Sequence, residues 1–304
     1  MSASNSQSRL TVTDITKMYA DGERIAMLTA YDFPTARLLD EAGIPFILVG
    51  DSVGTVMLGY DSEIRVTMAD MLHHTAAVVR GAGRALIVGD MPFLSYSSPA
   101  EAVENAGRFL REAGAQAVKV EGGVRSARII EALVKAGIPV MGHIGWTPQA
   151  RHQLGGKVRV QGKTTDRARH MLADALAVQE AGGFSIVLEL VPEQLATAIT
   201  QRLRIPTIGI GAGVGCSGQV QVLTDLLGMS DWHPKHARPF ADLRATIIEA
   251  ARSYAAQVAD GTFPGVEQTV RMDDSTLDEV LGRGMLDRPI EAGELVDVPL
   301  DRDL

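Results

Sequence analysis

The feature that most constrains the fold of this chain is a weak internal repeat built on Ala-Gly dipeptides. Each copy contains a helix end, a glycine, an apolar run and a polar residue: EAGIPFILVGD, GAGRALIVGD, EAGAQAVKVEG, KAGIPVMGHIG and EAGGFSIVLEL. Glycine after a helix takes the left-handed conformation that other residues resist, and near-continuous apolar runs are typical of parallel strands covered on both faces. The glycines that end the predicted helices are Gly43, Gly83, Gly114, Gly137 and Gly182.

Three further apolar segments raise the number of predicted strands to eight. They are MLTAY at residues 27–31, PTIGIGAG at 206–213 and GQVQVLTDL at 218–226. Eight strands that alternate with helices over about 250 residues favour a (β/α)8 TIM barrel over an open sheet, which usually has fewer strands. A chain of 304 residues with 46% hydrophobic content can bury the core of such a barrel.

The barrel is predicted to occupy residues 25–265 as a single domain. Residues 1–24 precede it as a helical segment, in which TDITKMY has a threonine cap, and we expect this segment to close the barrel bottom. Residues 266–304 form an acidic extension that we expect to be extended or partly disordered. Between residues 273 and 304, ten acidic and three basic residues carry most of the net charge of −8. This tail is either a solvated segment or a docking element.

Composition and charge exclude several classes of protein. No apolar run approaches the roughly 18 residues of a membrane helix, and the start of the chain lacks the apolar segment of a signal peptide, so a cytoplasmic location is expected. The negative charge, without a lysine and arginine cluster, argues against nucleic-acid binding. The single cysteine, Cys216, excludes an internal disulfide and is interpreted as a turn residue in a glycine-rich loop.

Polar residues end five successive predicted strands. In a (β/α)8 barrel the carboxyl ends of the strands form one mouth, and catalytic groups lie there. A single acid after a strand can simply cap the next helix, but that explanation is poor for five strands in succession. We therefore predict one site that contains Asp51, Asp90, Lys119, Glu121, His143 and Glu189.

The carboxylates of this site predict a bound cation. Several carboxylates in one mouth raise each other's pKa, so either a metal ion neutralises them or some are protonated. Oxygen ligands without a nearby cysteine favour a hard divalent ion, Mg²⁺ before Mn²⁺ or Zn²⁺. Asp51 and Asp90, each of which follows a glycine at a strand end, are the predicted ligands.

The other polar residues indicate the kind of chemistry. Lys119 and Glu121 face the same side of one strand, so the lysine either pairs with Glu121 or holds an anionic group of the substrate. A metal and a lysine together fit a 2-oxo acid, whose carbon next to the ketone becomes acidic. Glu189 is the predicted base, because its apolar surroundings raise the pKa of a carboxyl group. His143 either orders its loop or transfers a proton.

Two weaker signals receive structural interpretations. The segment IGIGAGVGCSG formally contains the GxGxxG pattern, but the β-like residues after it lack the helical context of a dinucleotide site. In a barrel such a loop is expected to let a ligand approach the backbone closely. His73 and His74 lie in the middle of a predicted helix and are interpreted as packing or surface residues.

Eight motifs occur in order across about residues 10–265: LTAYD, LVGDS, GDMPF, VKVEGG, GHIGWTPQ, LGGKVRVQG, LELVPEQLA and IPTIGIGAG. Together they resemble the ketopantoate hydroxymethyltransferase family. The resemblance implies transfer of a hydroxymethyl group from 5,10-methylenetetrahydrofolate to 3-methyl-2-oxobutanoate, which gives 2-dehydropantoate in pantothenate biosynthesis. It also implies a (β/α)8 barrel, a Mg²⁺ requirement and a large homo-oligomer, commonly a decamer. No motif identifies the residues that contact folate.

The same resemblance assigns roles to individual residues. Asp51 in LVGDS and Asp90 in GDMPF correspond to metal-associated acids, with Glu121 in VKVEGG as a third metal residue. Glu189 in LELVP corresponds to the proton acceptor. The residues expected to contact the oxo acid are Asp51, Ser52, Asp90, Lys119 and, as a further candidate, His143.

Two other functions are compatible with these residues. One is a Mg²⁺-dependent barrel lyase or mutase that acts on another 2-oxo acid and needs no folate. The other is a catalytically silent metabolite-binding or assembly protein that docks through its acidic tail. Intact Asp51, Asp90, Lys119 and Glu189 argue against a protein that has lost its activity.

Overall fold

A closed barrel of parallel strands forms the centre of the fold. In the computed structural model, which describes residues 8–282, eight strands pair in sequence order and the last pairs with the first. The strands are β1 (Ile25–Thr29), β2 (Phe46–Val49), β3 (Leu86–Asp90), β4 (Ala117–Glu121), β5 (Val140–Gly145), β6 (Ser185–Glu189), β7 (Thr207–Ile210) and β8 (Gly218–Gln221). The predicted (β/α)8 TIM barrel is confirmed.

Helices precede the first strand, lie between successive strands from β1 to β7 and follow the last strand. They are α1 (Val12–Ala20), α2 (Phe33–Glu41), α3 (Val53–Val56), α4 (Met68–Gly81), α5 (Pro99–Arg108), α6 (Ala127–Lys135), α7 (Thr165–Glu180), α8 (Glu193–Arg202), α9 (Leu223–Leu226), α10 (Leu243–Ala259) and α11 (Asp274–Gly282). An outer apolar core joins strand residues such as Ile87 and Val118 to helix residues such as Val78 and Ile130.

A second apolar core fills the inside of the barrel. Leu86 and Val88 of β3 belong to this inner core, whereas Ile87 between them belongs to the outer core. Because side chains alternate along a strand, Asp90 faces the same side as Val88 and reaches the barrel mouth. Apolar residues therefore occupy the lower barrel, and polar residues occupy the carboxyl ends of the same strands.

Helix α1 contributes to the bottom of this inner core. Ile15 is fully buried there, together with Ile25 and Met27 of β1. The helix begins with a capping box, in which the N–H of Thr11 donates to Asp14 Oδ2 at 2.8 Å and the N–H of Asp14 donates to Thr11 Oγ1 at 3.3 Å. The local capping signal and the burial of Ile15 together hold the helix against the barrel.

Glycine conformations follow the predicted pattern with one exception. Gly43, Gly114, Gly137 and Gly182 have φ values between +80° and +95°, as expected after a helix. Gly83 is the exception, since no positive φ occurs there and the residue before it is extended. Its N–H donates instead to Asp40 Oδ2 at 2.9 Å, so a side chain supplies the partner that a left-handed turn provides elsewhere. The prediction for Gly83 was wrong.

The last predicted strand is shorter than its apolar run. β8 ends at Gln221, and the chain then forms α9, where the N–H of Leu223 donates to Thr29 Oγ1 at 2.9 Å. The side chain of Thr29 on the first strand thus contacts the chain just after the last strand ends.

The described chain comprises two compact units, of which the barrel unit ends at Arg244 and the second begins at Ala245. Within the second, the rings of Tyr254 and Phe263 pack edge to face, with centroids 5.4 Å apart. Helix α11 occupies Asp274–Gly282, where extended chain was expected, and this part of the tail prediction is corrected. Residues 283–304 of the predicted tail lie outside the described residues. None of the described helices is long and apolar enough to cross a membrane.

Candidate active site

Strand register brings the predicted site residues side by side at the barrel mouth. Asp90 on β3 lies opposite Lys119 on β4, and Glu121 on β4 lies opposite His143 on β5. Glu189 ends β6, the next strand in the barrel. The first four side chains are buried, so the mouth holds a dense cluster of polar groups away from water.

Asp90 and Lys119 form a buried ion pair. Lys119 Nζ lies 2.7 Å from both carboxylate oxygens of Asp90 and 4.0 Å from Glu121 Oε1. Burial alone would lower the pKa of Lys119, but the carboxylates of Asp90, Asp51 and Glu121 outweigh it and raise that pKa. Burial raises the pKa of Asp90, against the effect of Lys119. The raised pKa of Lys119 favours its charged form, whereas the raised pKa of Asp90 favours its neutral form. The contact of the ammonium with both carboxylate oxygens favours the charged pair.

Asp51 joins the pair through its backbone and through Gln149. The N–H of Asp51 donates to Asp90 Oδ2 at 3.1 Å, and Asp51 Oδ2 accepts from Gln149 Nε2 at 2.9 Å. Gln149 Nε2 also donates to the Met91 carbonyl at 2.9 Å, and the N–H of Gln149 donates to Glu121 Oε2 at 3.1 Å. Gln149 thus contacts two site carboxylates at once. The sequence analysis considered only polar residues at strand ends and therefore missed Gln149, which lies in the loop after β5.

Glu121 is buried with one oxygen unpaired. Its Oε2 accepts from Gln149, whereas its Oε1 has no hydrogen-bond partner. Burial raises the pKa of Glu121 to about 8, with a further contribution from Asp51 and an opposing one from Lys119. A carboxyl group with this pKa holds a proton at neutral pH unless a further cation, in addition to Lys119, lies beside it.

His143 lies between two acids. Its Nδ1 is 3.3 Å from Glu121 Oε1, and its Nε2 is 3.2 Å from Glu189 Oε2. Neither contact has the alignment of a hydrogen bond, so the distances describe proximity only. Burial and the charge of Lys119 lower the pKa of His143, which keeps the imidazole neutral at neutral pH. The structure therefore places His143 in the site, beside both acids.

Glu189 lies where two backbone segments meet closely. Burial raises the pKa of its carboxyl group, and His143 opposes this effect. Because 17% of the side chain is exposed, water moderates the shift. Leu190, the next residue, has a φ of +49°, a conformation uncommon outside glycine. Gly145 has a φ of +99°, and an added Cβ there would lie 2.1 Å from the Glu189 carbonyl oxygen.

Ser52 and Tyr31 extend the site on the side of Asp51. The two hydroxyl oxygens lie 2.8 Å apart. Tyr31 is buried, and burial raises the pKa of its phenol, so the hydroxyl keeps its proton. His74 Nδ1 lies 2.6 Å from the Tyr31 carbonyl oxygen, whereas His73 is exposed. The interpretation of these histidines as packing and surface residues is confirmed.

The glycine-rich segment after β7 packs against protein. An added Cβ at Gly213 would lie 2.4 Å from the Glu193 side chain, and one at Gly215 would lie 2.0 Å from Thr197 Oγ1. These two glycines therefore let α8 approach the loop, and the expectation that a ligand approaches the backbone of this loop stays a prediction. Cys216 beside them is fully buried, which fits a structural residue.

The donor set fits a divalent cation held by two carboxylates. Among the described residues, no group of three or more His, Cys, Asp or Glu side chains is arranged to hold a metal ion. The predicted set of Asp51, Asp90 and Glu121 is therefore not arranged as three ligands of one ion. Mg²⁺ usually takes one or two carboxylates and fills its other positions with water or substrate oxygens. Asp51 and Asp90, with the unpaired Glu121 Oε1 nearby, match that requirement.

The closed barrel and the buried acids at its mouth define a (β/α)8-barrel enzyme. The chain matches the ketopantoate hydroxymethyltransferase family model over residues 9–266. It is 62% identical over 275 residues to a 3-methyl-2-oxobutanoate hydroxymethyltransferase of Chloroflexus aurantiacus, covering 90% of this chain and 97% of the relative. A relative of the same name from Dehalococcoides mccartyi is 54% identical over 274 residues, covering 90% and 98%. The chain belongs to the ketopantoate hydroxymethyltransferase family and is a hydroxymethyltransferase.

Solved structures of other enzymes share the fold at low identity. A 2,3-dimethylmalate lyase of the PEP mutase/isocitrate lyase superfamily matches with a TM-score of 0.55 and 17% identity, covering 91% of this chain and 98% of the lyase. A phosphonopyruvate hydrolase in complex with oxalate and Mg²⁺ matches with a TM-score of 0.56 and 13% identity, covering 91% and 97%. At these identities the likeness shows the fold alone.

Proposed function

We propose that this chain transfers a hydroxymethyl group from 5,10-methylenetetrahydrofolate to 3-methyl-2-oxobutanoate, giving 2-dehydropantoate. The observation that carries the proposal is the cluster at the barrel mouth, where the Asp90–Lys119 ion pair lies beside Glu121, His143 and Glu189. Family membership supports the reaction class, and the names of the relatives support the acceptor. The resemblance of the motifs supports the folate donor.

Asp51 and Asp90 are the residues that would hold Mg²⁺, with Glu121 beside them. When bound, Mg²⁺ polarises the keto oxygen of the oxo acid and makes the C3 hydrogen more acidic. A phosphonopyruvate hydrolase of the same fold was solved with oxalate and Mg²⁺, which supports metal use on this scaffold. The raised pKa of Glu121, where burial disfavours the charged carboxylate, supports a cation in this place.

Lys119 and Ser52 orient the substrate. An ammonium group has three N–H donors, so Lys119 can hold both oxygens of Asp90 and still donate one hydrogen bond to the substrate carboxylate. The Ser52 hydroxyl can donate to the same carboxylate while it accepts from Tyr31. These contacts recognise a small anionic substrate and fix the position of its C3 atom.

Glu189 accepts the C3 proton. The burial that raises its pKa makes it a stronger base than an ordinary carboxylate. His143, with Nε2 at 3.2 Å from Glu189 Oε2, limits the positions that this carboxylate can take. Water adds to the methylene carbon of the folate and the bonds of this carbon to the folate nitrogens break, which gives tetrahydrofolate and a formaldehyde unit. The deprotonated C3 atom attacks the formaldehyde carbon, and the formaldehyde oxygen takes up a proton to become the hydroxyl of the hydroxymethyl group.

Hydrogen exchange at C3 tests the first half of this reaction. Proton NMR of 3-methyl-2-oxobutanoate in D₂O should show exchange with Mg²⁺ and wild-type protein, and Glu189→Gln should slow it about 100-fold or more. Glu180→Gln is the matched control, because Glu180 is exposed at the end of α7. Equal exchange in wild type and Glu189→Gln would contradict the base. No exchange in wild type, even with tetrahydrofolate present, would contradict the substrate.

A further inference from the structure

Arg151 joins two loops at the barrel mouth. It directly follows the turn Pro148–Ala150 in the loop after β5, and its guanidinium reaches the loop after β2. There its Nη1 donates to the Asp61 carbonyl oxygen at 3.2 Å and lies 3.6 Å from Glu63 Oε2. One guanidinium group thus contacts both a backbone oxygen and a carboxylate of a segment that is distant in sequence.

The Arg151–Glu63 ion pair is partly shielded from water. Only 26% of the Arg151 side chain and 20% of the Glu63 side chain are exposed, whereas the Arg37–Glu41 pair on α2 is 63% and 61% exposed. Burial raises the pKa of the Glu63 carboxyl group, with a further contribution from Asp51 and an opposing one from Arg151. Removing one partner of a shielded pair leaves the other charge without compensation, so this pair constrains its loops more than an exposed pair does.

The segment that this guanidinium contacts packs tightly on α3. The N–H of Tyr60 donates to the Gly54 carbonyl oxygen at 2.8 Å, and an added Cβ at Gly54 would lie 2.5 Å from Val66 Cγ2. Helix α3 begins directly after the Asp51–Ser52 dipeptide. Because closely packed groups leave no free volume, a shift of the segment displaces the helix as well. The loop after β2 therefore connects Arg151 to the backbone of Asp51.

The loop after β5 connects Arg151 to Asp51 by a second route. The N–H of Arg151 donates to the Pro148 carbonyl oxygen at 3.1 Å and closes the turn that contains Gln149. Gln149 Nε2 in turn donates to Asp51 Oδ2 at 2.9 Å. Arg151 is thus linked to Asp51 both through the backbone of α3 and through the side chain of Gln149.

We propose that Arg151 and Glu63 are positioning residues for the reaction. Their contact holds the loop after β5 against the loop after β2, and so keeps the Asp51 carboxylate and Gln149 in place for binding of the oxo acid with Mg²⁺. This inference rests on the proposed function, which places Asp51 at the cation. Neither loop carries Glu189, so the contact acts on substrate binding rather than on removal of the C3 proton.

Hydrogen–deuterium exchange of the full-length, metal-free protein tests the contact between the loops without substrate. We expect Arg151→Met, which removes both contacts, to speed amide exchange about fivefold or more in peptides that cover residues 57–66 and 148–156. Glu63→Gln, which removes only the charge, should speed exchange less in the same peptides. Arg37→Met is the matched control, because the Arg37–Glu41 pair joins neighbouring turns of one helix. Unchanged exchange in Arg151→Met would overturn the proposal.

Calorimetric titration with 3-methyl-2-oxobutanoate and Mg²⁺ measures the consequence for the site. We expect the Kd to rise about fivefold or more in Arg151→Met, while the rate of C3 hydrogen exchange at saturating substrate changes less than about twofold. The double variant Arg151→Met/Glu63→Gln should bind no more weakly than Arg151→Met, because both changes break the same contact. Losses that multiply in the double variant would show that the two residues act separately, which also overturns the proposal.

The outcomes separate this inference from the function on which it rests. If wild type binds the oxo acid with Mg²⁺ and Arg151→Met binds it equally well, the pair does not position the site and the proposed function stands. If wild type does not bind the oxo acid with Mg²⁺, the proposed function fails and this inference fails with it. Thermal denaturation shows whether a variant is folded, and Glu63→Gln carries both tests if Arg151→Met is not.

Discussion

Among single residues, Gln149 connects the acids of the site most directly. Gln149→Leu removes the donor to the buried Asp51 carboxylate and to the Met91 carbonyl. An unsatisfied buried acceptor costs about 1–3 kcal/mol, so we expect Mg²⁺-dependent binding of the oxo acid to weaken about tenfold or more. Steady-state KM values and calorimetric Kd values for the oxo acid measure this effect.

Tyr96→Phe is the matched control for this variant. It removes only the hydroxyl that donates to Gln149 Oε1 and leaves the hydrogen bonds from Gln149 to Asp51 and Glu121 in place. A smaller effect is therefore expected. If Gln149→Leu binds the oxo acid as wild type does, Gln149 has no part in positioning the acids.

Glu121 should make the stability of the metal-free protein depend on pH. Its folded-state pKa of about 8 lies above the ordinary value of 4.5, so the folded state binds the proton more tightly. This contribution is present below about pH 4.5 and is lost as the pH rises through about 8. We expect the denaturation temperature in EDTA to fall over this range, and to fall less in Glu121→Gln, which cannot ionise. Parallel pH curves for the two proteins would contradict the assignment.

At the scale of secondary-structure elements, the close approach of β5 and β6 positions Glu189. Gly145→Ala adds a Cβ that would lie 2.1 Å from the Glu189 carbonyl oxygen, at a φ of +99°. Gly137→Ala is the matched control, because it has a φ of +81° but no atom within 4 Å of the added Cβ. Both changes carry the strain of a left-handed alanine, about 1 kcal/mol. We expect only Gly145→Ala to lower kcat, by about tenfold or more, and equal kcat values would contradict this account.

The elements were largely predictable because their signals are local. Apolar runs of five or six residues indicate the strands, and glycines after helical segments indicate the helix ends. Neither signal depends on the rest of the chain. The prediction failed where a distant side chain replaced a local signal. Asp40 takes the place of a left-handed turn at Gly83, and Thr29 contacts the chain where β8 ends.

At the scale of the whole molecule, the acidic tail should be separable from catalysis. Every proposed site residue lies within the barrel unit, which ends at Arg244. We therefore expect a protein that lacks residues 273–304 to keep kcat and both KM values within about twofold. Activity assays measure this directly, and a protein truncated only after residue 282 is the control that keeps α11. Loss of activity in the shorter protein alone would assign a function to that helix.

The oligomeric state is a second prediction about the whole molecule. The motif resemblance implies a homodecamer of chains of 32.4 kDa each. Light scattering of the full-length and truncated proteins would give the mass of the assembly, and a difference between them would favour the docking interpretation of the tail over the solvated one.

The sequence by itself determined the barrel and the membership of its mouth. Near-continuous apolar runs indicate the strands, and a polar residue follows or ends five of them, so local patterns and one rule about barrels sufficed to predict that Asp51, Asp90, Lys119 and Glu189 share a site. Barrel closure then brings residues from different strands together, because parallel strands in register end at the same edge.

Only the tertiary structure decided which groups touch. The Asp90–Lys119 pair, the position of His143 between two acids and the contacts of Gln149 depend on strand register and loop path, which no single segment encodes. The packing of Gly213 against α8 is decided in the same way. Side-chain distances and burial set the pKa values of a site, and both arise from residues that are far apart in sequence.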